Sequence, residues 1–324
     1  MAEDISEYIT IMNRLGEKRA PFIFIISFDT RKVIIEFPDT AFSKGILYEM
    51  NGTRNYPAKD FDTKPIELKK IPPGYEEFKS KFDRVLSALN LGHSYLLNLT
   101  FRSRIYTNQD LCEIFYRSHA KYKLLTPDFV VFSPEIFVRI HDQRIYSYPM
   151  KGTIDGGISG AEKIILDDFK EMAEHATIVD LIRNDLSIMA SKVKVDKFRY
   201  IDRIKTNEKT LLQVSSEISG TLPYDYRSRI GDILFSLLPA GSVTGAPKKR
   251  TVELIREIEG YDRGFYTGVF GYFNGTDLES SVMIRFIEKE GNDLYYKSGG
   301  GITVNSRPES EYQEMLDKIY VPVH

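Results

Sequence analysis

The stretch that decides the fold is FVVFSPEIFVRIHDQRIYSYP, residues 129–149. It contains three short apolar runs, at 129–132, 135–141 and 144–148, which we interpret as consecutive antiparallel strands. Further strands are predicted at 22–28, 33–37, 95–101, 268–273, 281–288 and 294–297. The polar, proline-containing residues 51–73 are interpreted as a surface connection.

Long helices separate these strands. One starts at Tyr75 and carries an apolar face at three- and four-residue spacing, and others are predicted at 110–122 and 248–259. The longest starts near residue 167 and is expected to bury Phe169, Met172, Ala176, Val179 and Ile182. A last helix follows Ser306, which fits a capping box with Glu309. Hairpins between long helices indicate an α+β fold.

Composition excludes several classes of protein. The 324 residues are 42% hydrophobic and 28% charged, as in an ordinary globular chain, and the net charge of −2 argues against a nucleic-acid or anionic-membrane partner. The single cysteine, Cys112, excludes an internal disulfide and a cysteine-based zinc site. The first 20 residues carry Glu3, Asp4, Glu7 and Glu17 and are therefore not expected to form a signal or transit segment. We therefore expect a cytoplasmic protein.

Two glutamate pairs repeat one spacing on different helices. Glu171 and Glu174 share a face of the longest helix, roughly opposite its apolar stripe, and Glu311 and Glu314 share a face of the last one. By spacing alone these are solvated surface glutamates. If the two helices meet, four carboxylates could instead hold one hard cation such as Mg²⁺.

Three glycine-containing segments have the composition of anion-binding loops: GSVTGAP at 241–247, SGGG at 298–301 and KGT at 151–153. The first precedes a helix but lacks the spacing of a nucleotide-binding loop. The second is expected between a strand and the last helix, and the third at a turn. Glycines that serve tight turns are the more common explanation for each of these segments taken separately.

Three side chains gain a role only if they face a site. Arg285 would need an anion if it points inward. Lys151 would need desolvation, which lowers its pKa toward a neutral, nucleophilic amine. His175, beside Glu174, is otherwise a histidine on a helix face. Solvated surface positions remain the alternative for all three.

Six motifs in fixed order resemble the catalytic component of the chorismate-utilising enzymes, which are the anthranilate, aminodeoxychorismate, isochorismate and salicylate synthases. They are SPEIF (133–137), PMKGT (149–153), EHATIVDLIRNDL (174–186), GSVTGAPK (241–248), RGFYTGVFGY (263–272) and SGGGI (298–302). The resemblance runs from about residue 75 to residue 318. It implies two antiparallel sheets packed face to face with helices outside. We expect one catalytic domain over 1–324, with a shortened strand region at 1–73 and the family core at 74–324.

The resemblance also implies the site. Glu174 and Glu314 match direct Mg²⁺ ligands that grip the ring carboxylate of chorismate, with Glu171 and Glu311 close by or bonded through water. Tyr266, Arg285 and the Gly301 backbone match positions that hold the other carboxylate. Further cleft positions are Gly152, Thr153, Thr244, Gly300 and Lys318.

The PMKGT motif resembles the aminodeoxychorismate synthases. The anthranilate, isochorismate and salicylate synthases usually have a small residue at the position of Lys151. The aminodeoxychorismate branch implies that Lys151 adds to C2 of the ring while Glu135 acts as general acid on the C4 hydroxyl. Ammonia then attacks C4 and expels the lysine, giving 4-amino-4-deoxychorismate. The expected activity is that of an aminodeoxychorismate synthase component I, in 4-aminobenzoate and folate biosynthesis.

Two further positions bear on the reaction. Leu96 stands where isochorismate and salicylate synthases place a lysine that activates water, and Asn98 resembles the aminodeoxychorismate branch. Departures also occur: 154–156 replaces a stretch that often carries arginine, and Gln213 replaces a histidine. No tryptophan-binding segment is recognisable near the start of the chain.

Two other functions stay open. Anthranilate synthase would require Lys151 to be tolerated without a role, and a catalytically silent chorismate- or glutaminase-binding regulator would have no reason to retain four glutamates. Cys112 lies in a helical setting without a nucleophile turn. We therefore expect ammonia from a separate glutamine amidotransferase subunit.

Overall fold

The computed structural model describes residues 5–59, 61, 64–205 and 210–322. Within these ranges the α-helices are α1 (Ile5–Glu17), α2 (Pro38–Ala41), α3 (Tyr75–Asn90), α4 (Leu111–Arg117), α5 (Ala161–Asp167), α6 (Phe169–Leu186), α7 (Ile230–Leu237), α8 (Lys248–Glu259) and α9 (Pro308–Asp317). None of the helices in the described part of the chain has the length and apolar character that crossing a membrane requires.

The strands form two antiparallel sheets. Sheet A contains β1 (Phe22–Ile26), β2 (Val33–Glu36), β9 (Ile136–His141), β10 (Arg144–Ser147), β11 (Met150–Asp155), β12 (Ser191–Lys205), β13 (Thr210–Thr221), β15 (Val269–Phe273) and β16 (Leu278–Val282). Sheet B contains β3 (Leu47–Met50), β4 (Thr53–Arg54), β5 (Leu68–Ile71), β6 (Leu96–Thr107), β7 (Tyr122–Leu125), β8 (Phe129–Ser133), β14 (Gly245–Ala246), β17 (Phe286–Glu290) and β18 (Asp293–Ile302).

Alternating side chains place the sheets face to face. In β1, Ile23 and Ile25 pack against Phe129 and Val131 of sheet B, so an apolar layer fills the space between the sheets. On the other side of β1, Phe22 and its alternate neighbours pack with α6 and α7. The outer face of sheet B packs against α3, α4, α8 and α9. The predicted α+β fold, with helices outside two face-packed sheets, is confirmed.

The prediction of strand connectivity was partly wrong, because the chain crosses between the sheets. The run at 129–132 lies in sheet B, whereas β9 and β10, which do form the expected hairpin, lie in sheet A. The run at 281–288 is two strands, β16 in sheet A and β17 in sheet B. Alternating apolar residues mark a strand but do not mark the sheet to which it belongs.

Several local predictions also need correction. The connection at 51–73 contains β4 and β5, and helix α1 was not predicted. The glycines at 298–301 lie within β18, and Lys151 to Thr153 lie within β11 rather than at a turn. The Ser306 hydroxyl accepts a hydrogen bond from the Thr303 N–H, so the capping box does not form.

Two helices differ from their predicted form. Helix α4 ends at Arg117 because Ser118 turns to an extended conformation and the buried Lys123 amine donates to the Phe115 and Ser118 carbonyls. In α6, Phe169 is 76% exposed and Ala176 is also exposed. The buried face is His175, Ile178, Val179, Ile182 and Leu186. Glu171 and Glu174 therefore flank the buried face rather than opposing it.

A buried ion pair joins helix α8 to sheet B. The Arg263 guanidinium binds the Glu259 carboxylate through two bonds of 2.8 and 2.6 Å, and both side chains are 1% exposed. Arg263 also donates to the Val243 carbonyl at 2.9 Å and to the Asn98 carbonyl at 2.7 Å. One side chain thereby fixes the end of α8, the loop at 241–245 and the start of β6.

Breaking this pair should destabilise the protein strongly. In Glu259→Gln the Arg263 charge stays buried without a counter-charge, because guanidinium does not deprotonate. We expect a loss of about 3–5 kcal/mol in the free energy of unfolding, measured by urea denaturation. The matched control is Glu253→Gln on the same helix, which breaks an exposed pair with Arg250 and should cost less than about 1 kcal/mol. Equal shifts in the two variants would contradict the assignment.

Candidate active site

Two chain crossings between the sheets build the floor of the site. The first, at Pro134 and Glu135, links β8 to β9, and the second, at residues 283–285, links β16 to β17. The crossings hold each other, because the Val282 N–H donates to the Glu135 carbonyl at 3.2 Å and the Phe132 N–H donates to the Arg285 carbonyl at 3.1 Å. Glu135 and Arg285 therefore lie side by side.

Arg285 has a strained backbone and a buried head group. Its φ of 54° is in the left-handed region, which a non-glycine residue adopts at a cost of about 1–3 kcal/mol. Its Nε atom is buried without a hydrogen-bond partner, and its guanidinium lies 5.3 Å from the centre of the Tyr320 ring. The structure thus turns Arg285 inward, which is the arrangement that needs an anion.

Glu135 has the properties of a proton donor. Burial raises the pKa of its carboxyl, against the hydrogen bond from the Ser242 hydroxyl and the positive charges of Lys151 and Lys318, which lower it. A carboxyl with a raised pKa keeps its proton to higher pH than an exposed glutamate does. Glu135 can therefore act as a general acid.

Lys151 lies at the bulge of β11, where its pairing with β13 shifts register. Its Nζ atom is 3.8 Å from the Glu174 Oε2 atom on α6. The next residue, Gly152, has a φ of 77°, and a Cβ atom there would lie 3.0 Å from the Glu171 Oε2 atom. Glycine therefore lets α6 approach β11 closely enough for its two glutamates to reach the strand.

His175 is buried on the same helix and is uncharged near neutral pH. Its Nε2 atom lies 2.6 Å from the Ser216 hydroxyl of β13. Burial, with the charges of Arg199 and Lys151, lowers its pKa to about 4. The side chain is 1% exposed, so it ties α6 to sheet A rather than facing solvent.

The glycines of β18 line an open sheet edge. Strand β17 pairs with β18 only as far as Lys297, and no described strand pairs with residues 298–302 on that side. The Gly299 carbonyl points to this edge, since the Lys318 Nζ atom donates to it at 2.8 Å. Because directions alternate along a strand, Gly301 presents its own N–H and carbonyl to the same edge.

Carboxylates from α9 converge on this edge. A Cβ atom at Gly300 would lie 3.3 Å from the Glu314 Oε1 atom and 3.6 Å from the Glu311 Oε2 atom. Glu314 also binds the Lys318 Nζ atom at 2.6 Å, and burial lowers the pKa of Lys318. The helices that carry the two glutamate pairs thus both reach the cleft.

These carboxylates fit a hard divalent cation in their chemistry. All four offer oxygen donors, and Mg²⁺ is usually held by one or two carboxylates together with waters and substrate oxygens. In the described ranges, no group of three or more aspartate, glutamate, histidine or cysteine side chains is close enough to hold a metal ion. The four carboxylates thus suit Mg²⁺ by donor type, but in this arrangement no three of them close on one ion.

Leu96 and Lys151 meet at Gly301. A Cβ atom at Gly301 would lie 3.1 Å from both the Leu96 Cδ1 atom and the Lys151 Nζ atom. The wall beside the lysine is therefore apolar. Asn98, two residues along β6, has a buried Oδ1 atom without a hydrogen-bond partner.

The remaining predicted residues lie around these groups. Thr244 is fully buried, and its hydroxyl donates to the Ala240 carbonyl at 2.7 Å. Tyr266 is 4% exposed, and burial raises its pKa despite the charges of Arg263 and Arg285. Thr153 is exposed and accepts a 3.4 Å hydrogen bond from Gln213. Thr244 thus lies beside Asn98 and Tyr266 lies near Arg285, whereas the contact of Thr153 leads only to β13.

Sequence reasoning missed Ser242, Ser216 and Arg263 as supports of the site. Ser242 and Ser216 bind Glu135 and His175 across 107 and 41 residues of chain, respectively. No local pattern marks such a distant pair. Arg263 lay in a motif that was recognised, but its buried partner Glu259 four residues earlier was not considered.

Comparisons with known proteins agree with this geometry. The model of the family described as chorismate binding enzyme matches residues 30–324. An uncharacterized PabA-like protein of Pasteurella multocida is 48% identical over 318 residues, 98% of each chain. Aminodeoxychorismate synthase component 1 of Bacillus subtilis is 34% identical over 207 residues, 61% of this chain and 43% of that protein.

Solved structures share the fold. Anthranilate synthase component I of Streptococcus pneumoniae superposes with a TM-score of 0.68 at 26% identity, covering 81% of this chain and 60% of that one. The menaquinone-specific isochorismate synthase of Escherichia coli gives a TM-score of 0.74 at 16% identity, covering 97% and 80%.

The Ser242 hydrogen bond makes a testable contribution to the acidity of Glu135. It stabilises the ionised carboxylate, so Ser242→Ala should raise the pKa of Glu135 further. Infrared titration of the protonated carboxyl band, assigned by its absence in Glu135→Gln, measures the shift. Ser242→Thr keeps the hydroxyl and serves as the control. An unchanged or lower pKa in Ser242→Ala would refute the role.

Proposed function

The chain belongs to the chorismate binding enzyme family, and we propose that within it the chain is an aminodeoxychorismate synthase component I, converting chorismate and ammonia to 4-amino-4-deoxychorismate. The observation that carries the proposal is the position of Lys151. Its amine faces Glu174, and its charge acts on the proton donor Glu135. The proposed nucleophile, Lys151, and the proposed acid, Glu135, are thus close enough to act on one substrate.

The first half-reaction uses both groups. The Lys151 Nζ atom bonds to ring carbon C2, and the ring double bonds shift as the C4–O bond breaks. Glu135 gives its proton to the departing hydroxyl, which leaves as water. A covalent intermediate replaces one difficult displacement by two easier ones.

The second half-reaction reverses the shift. The ammonia nitrogen bonds to C4, the bond between C2 and the Lys151 Nζ atom breaks, and the lysine returns to its neutral amine. The carboxylate of Glu135 accepts the proton that the new ammonium group loses. Both protein groups are thus restored, and the net change replaces hydroxyl by amine at C4 with release of water.

Charged groups on two sides of the cleft fit the two carboxylates of chorismate. Arg285, buried and without an anion partner at Nε, is placed to bind one of them together with Tyr266 and the open-edge N–H of Gly301. Lys318 adds a further positive charge. These groups orient the ring so that C2 faces Lys151 and C4 faces Glu135.

We propose that Mg²⁺ is held by Glu174 and Glu314, with Glu171 and Glu311 in support. When bound, the cation neutralises the ring carboxylate and favours addition at C2. In the structure Glu174 and Glu314 contact Lys151 and Lys318, respectively. Each carboxylate would hold the cation in exchange for its contact with the lysine.

The apolar wall at Leu96 favours amination over hydration. Lysine or another base beside C2 would activate water there, and leucine offers no lone pair for that purpose. The Asn98 oxygen supplies a buried acceptor on the same strand. These contacts support the aminating branch of the family.

Ammonia is proposed to come from a separate glutamine amidotransferase subunit. The one cysteine of the chain, Cys112, lies in α4, and burial raises the pKa of its thiol. A glutaminase nucleophile needs the opposite, a lowered pKa. The product would then enter 4-aminobenzoate and folate synthesis.

The reaction is tested by incubating the protein with chorismate, ammonium and Mg²⁺ and recording product mass and fluorescence. We expect 4-amino-4-deoxychorismate. Anthranilate as the product would replace the proposal by anthranilate synthase. No turnover in the presence of Mg²⁺ would instead favour a silent chorismate-binding protein.

Removal of the nucleophile should abolish the reaction. In Lys151→Ala we expect aminodeoxychorismate formation to fall by about 10³-fold or more, because no amine can bond to C2. Wild type mixed with chorismate and Mg²⁺ but without ammonium should give a lysine adduct that mass spectrometry locates on residue 151. Lys163→Ala, an exposed lysine on α5, is the control and should retain activity. Full activity in Lys151→Ala would exclude the covalent mechanism.

The cation site is tested on one helix. Glu314→Gln should weaken Mg²⁺ binding in the presence of chorismate by roughly tenfold or more, measured by isothermal titration calorimetry. Glu309→Gln on the same helix, whose carboxylate binds the Tyr75 hydroxyl instead, should bind Mg²⁺ as wild type does. Equal affinities in the two variants would remove Glu314 from the ligand set.

A further inference from the structure

The segment at 318–322, directly after α9, has side chains that alternate in direction. Ile319 is buried and Val321 packs beside it, both in the apolar cluster under α4. Lys318 and Tyr320 point the other way, toward the cleft, where the Lys318 amine reaches the open edge of β18. One short segment thus brings two side chains to the substrate side of the protein.

Two hydrogen bonds hold the main chain of this segment. The Tyr296 hydroxyl donates to the Tyr320 carbonyl at 2.9 Å, and the His119 N–H donates to the Pro322 carbonyl at 2.7 Å. Tyr296 is itself fully buried in β18, so its hydroxyl has a fixed position. The main chain is therefore held at Tyr320 and again two residues later.

The Tyr320 side chain covers one side of Arg285. The guanidinium carbon lies 5.3 Å from the centre of the ring, inside the range of roughly 6 Å over which an aromatic face attracts a cation. The tyrosine is 44% exposed, so its ring separates the guanidinium from solvent on that side. Burial acts to lower the pKa of Arg285, but the Tyr320 and Tyr296 phenols act against it, and the pKa lies above its ordinary value. Tyr320 thus stabilises the charged form of the guanidinium.

Arg285 otherwise has few partners. Among the residues that the structure describes, no carboxylate lies at ion-pair distance from it, and its buried Nε atom has no hydrogen-bond partner. An arginine side chain loses much rotational freedom when it binds an anion, and holding the planar group in place beforehand reduces that cost. An aromatic ring against one face holds the guanidinium without occupying the donors that an anion needs.

We propose that Tyr320 is a positioning residue, which holds the Arg285 guanidinium in place for a carboxylate of the substrate. The proposal rests on the proposed function, in which Arg285 binds one carboxylate of chorismate. Tyr320 acts through the arginine. Its ring attracts one face of the guanidinium and leaves the Nε–H available for a charge-assisted hydrogen bond.

Two substitutions separate the aromatic ring from simple bulk. Tyr320→Leu keeps an apolar side chain but has no aromatic face, whereas Tyr320→Phe keeps the ring and loses only the hydroxyl. Chorismate affinity is measured by isothermal titration calorimetry in the Lys151→Ala background, in which no lysine adduct can form. We expect Tyr320→Leu to weaken binding by roughly five- to thirtyfold and Tyr320→Phe by no more than about threefold.

The matched control is a second tyrosine over an arginine, away from the cleft. Tyr106, near the far end of β6, is 46% exposed, and the Arg104 guanidinium carbon lies 5.1 Å from the centre of its ring. Tyr106→Leu therefore removes the same kind of contact at the same exposure. Its affinity for chorismate should stay within about twofold of that of the Lys151→Ala background.

A double-mutant cycle shows whether Tyr320 acts through Arg285. Once Arg285→Gln has removed the guanidinium, adding Tyr320→Leu should change the affinity by less than about twofold. In the otherwise wild-type enzyme, Tyr320→Leu should raise the KM for chorismate and leave kcat within about twofold, because the contact serves binding rather than a later step.

The outcomes distinguish this inference from the proposed function. Equal affinities of Tyr320→Leu and its background, equal losses in the Leu and Phe variants, or the same loss with and without Arg285 would each overturn the positioning role. If Arg285→Gln binds chorismate as tightly as its background does, the proposed role of Arg285 fails and this inference fails with it. If wild type makes no aminodeoxychorismate, the proposed reaction fails, but the binding measurements still decide the role of Tyr320.

Discussion

The buried pair between Arg263 and Glu259 is the interaction on which the rest of the structure depends. Two charges removed from water cost several kcal/mol each unless their hydrogen bonds are satisfied. Here the guanidinium fills its bonds with a bidentate carboxylate and with main-chain carbonyls of β6 and the loop at 241–245. Any displacement of these elements would leave a buried donor unpaired. The pair therefore fixes three parts of the cleft relative to one another.

The ion pair and the two sheet crossings each position a different part of the site. The crossings place the acid Glu135 beside Arg285, while the pair holds the loop from which Ser242 reaches Glu135. Helices α6 and α9 then bring carboxylates to glycines, where no side chain blocks their approach. The proposed acid Glu135 is thus fixed by hydrogen bonds from neighbouring elements, which is the arrangement that electrostatic catalysis requires.

Much of this architecture could be predicted from periodicity and motifs. Helix α8 was placed at its observed bounds, and the alternation of Leu97, Leu99 and Phe101 identified a strand. The sheet crossing at 283–285 could not be predicted, because the chain passes from one sheet to the other through a left-handed conformation of Arg285 that no local preference requires. Phe169 was misplaced because apolar character alone predicts burial, whereas the fold leaves that end of α6 at the surface.

The site, like the fold, could be predicted only in part from the sequence. Motifs identified Lys151, Glu135 and the glutamates as a set, since their order along the chain is distinctive. They could not reveal that Lys318 binds the Gly299 carbonyl or that Ser242 binds Glu135. Those contacts depend on how distant strands and helices pack, and such packing is set by the whole core rather than by any one segment.

The open edge of β18 bears on how the protein avoids aggregation in a concentrated solution. An uncovered strand edge invites pairing with another chain, and a lysine beside it is one means of protection. Lys318 and helix α9 provide that protection, because the lysine amine occupies the Gly299 carbonyl and the helix lies against the glycines. A strand that leaves main-chain groups uncovered must be guarded against the addition of a foreign strand, and here one basic side chain and one helix guard it.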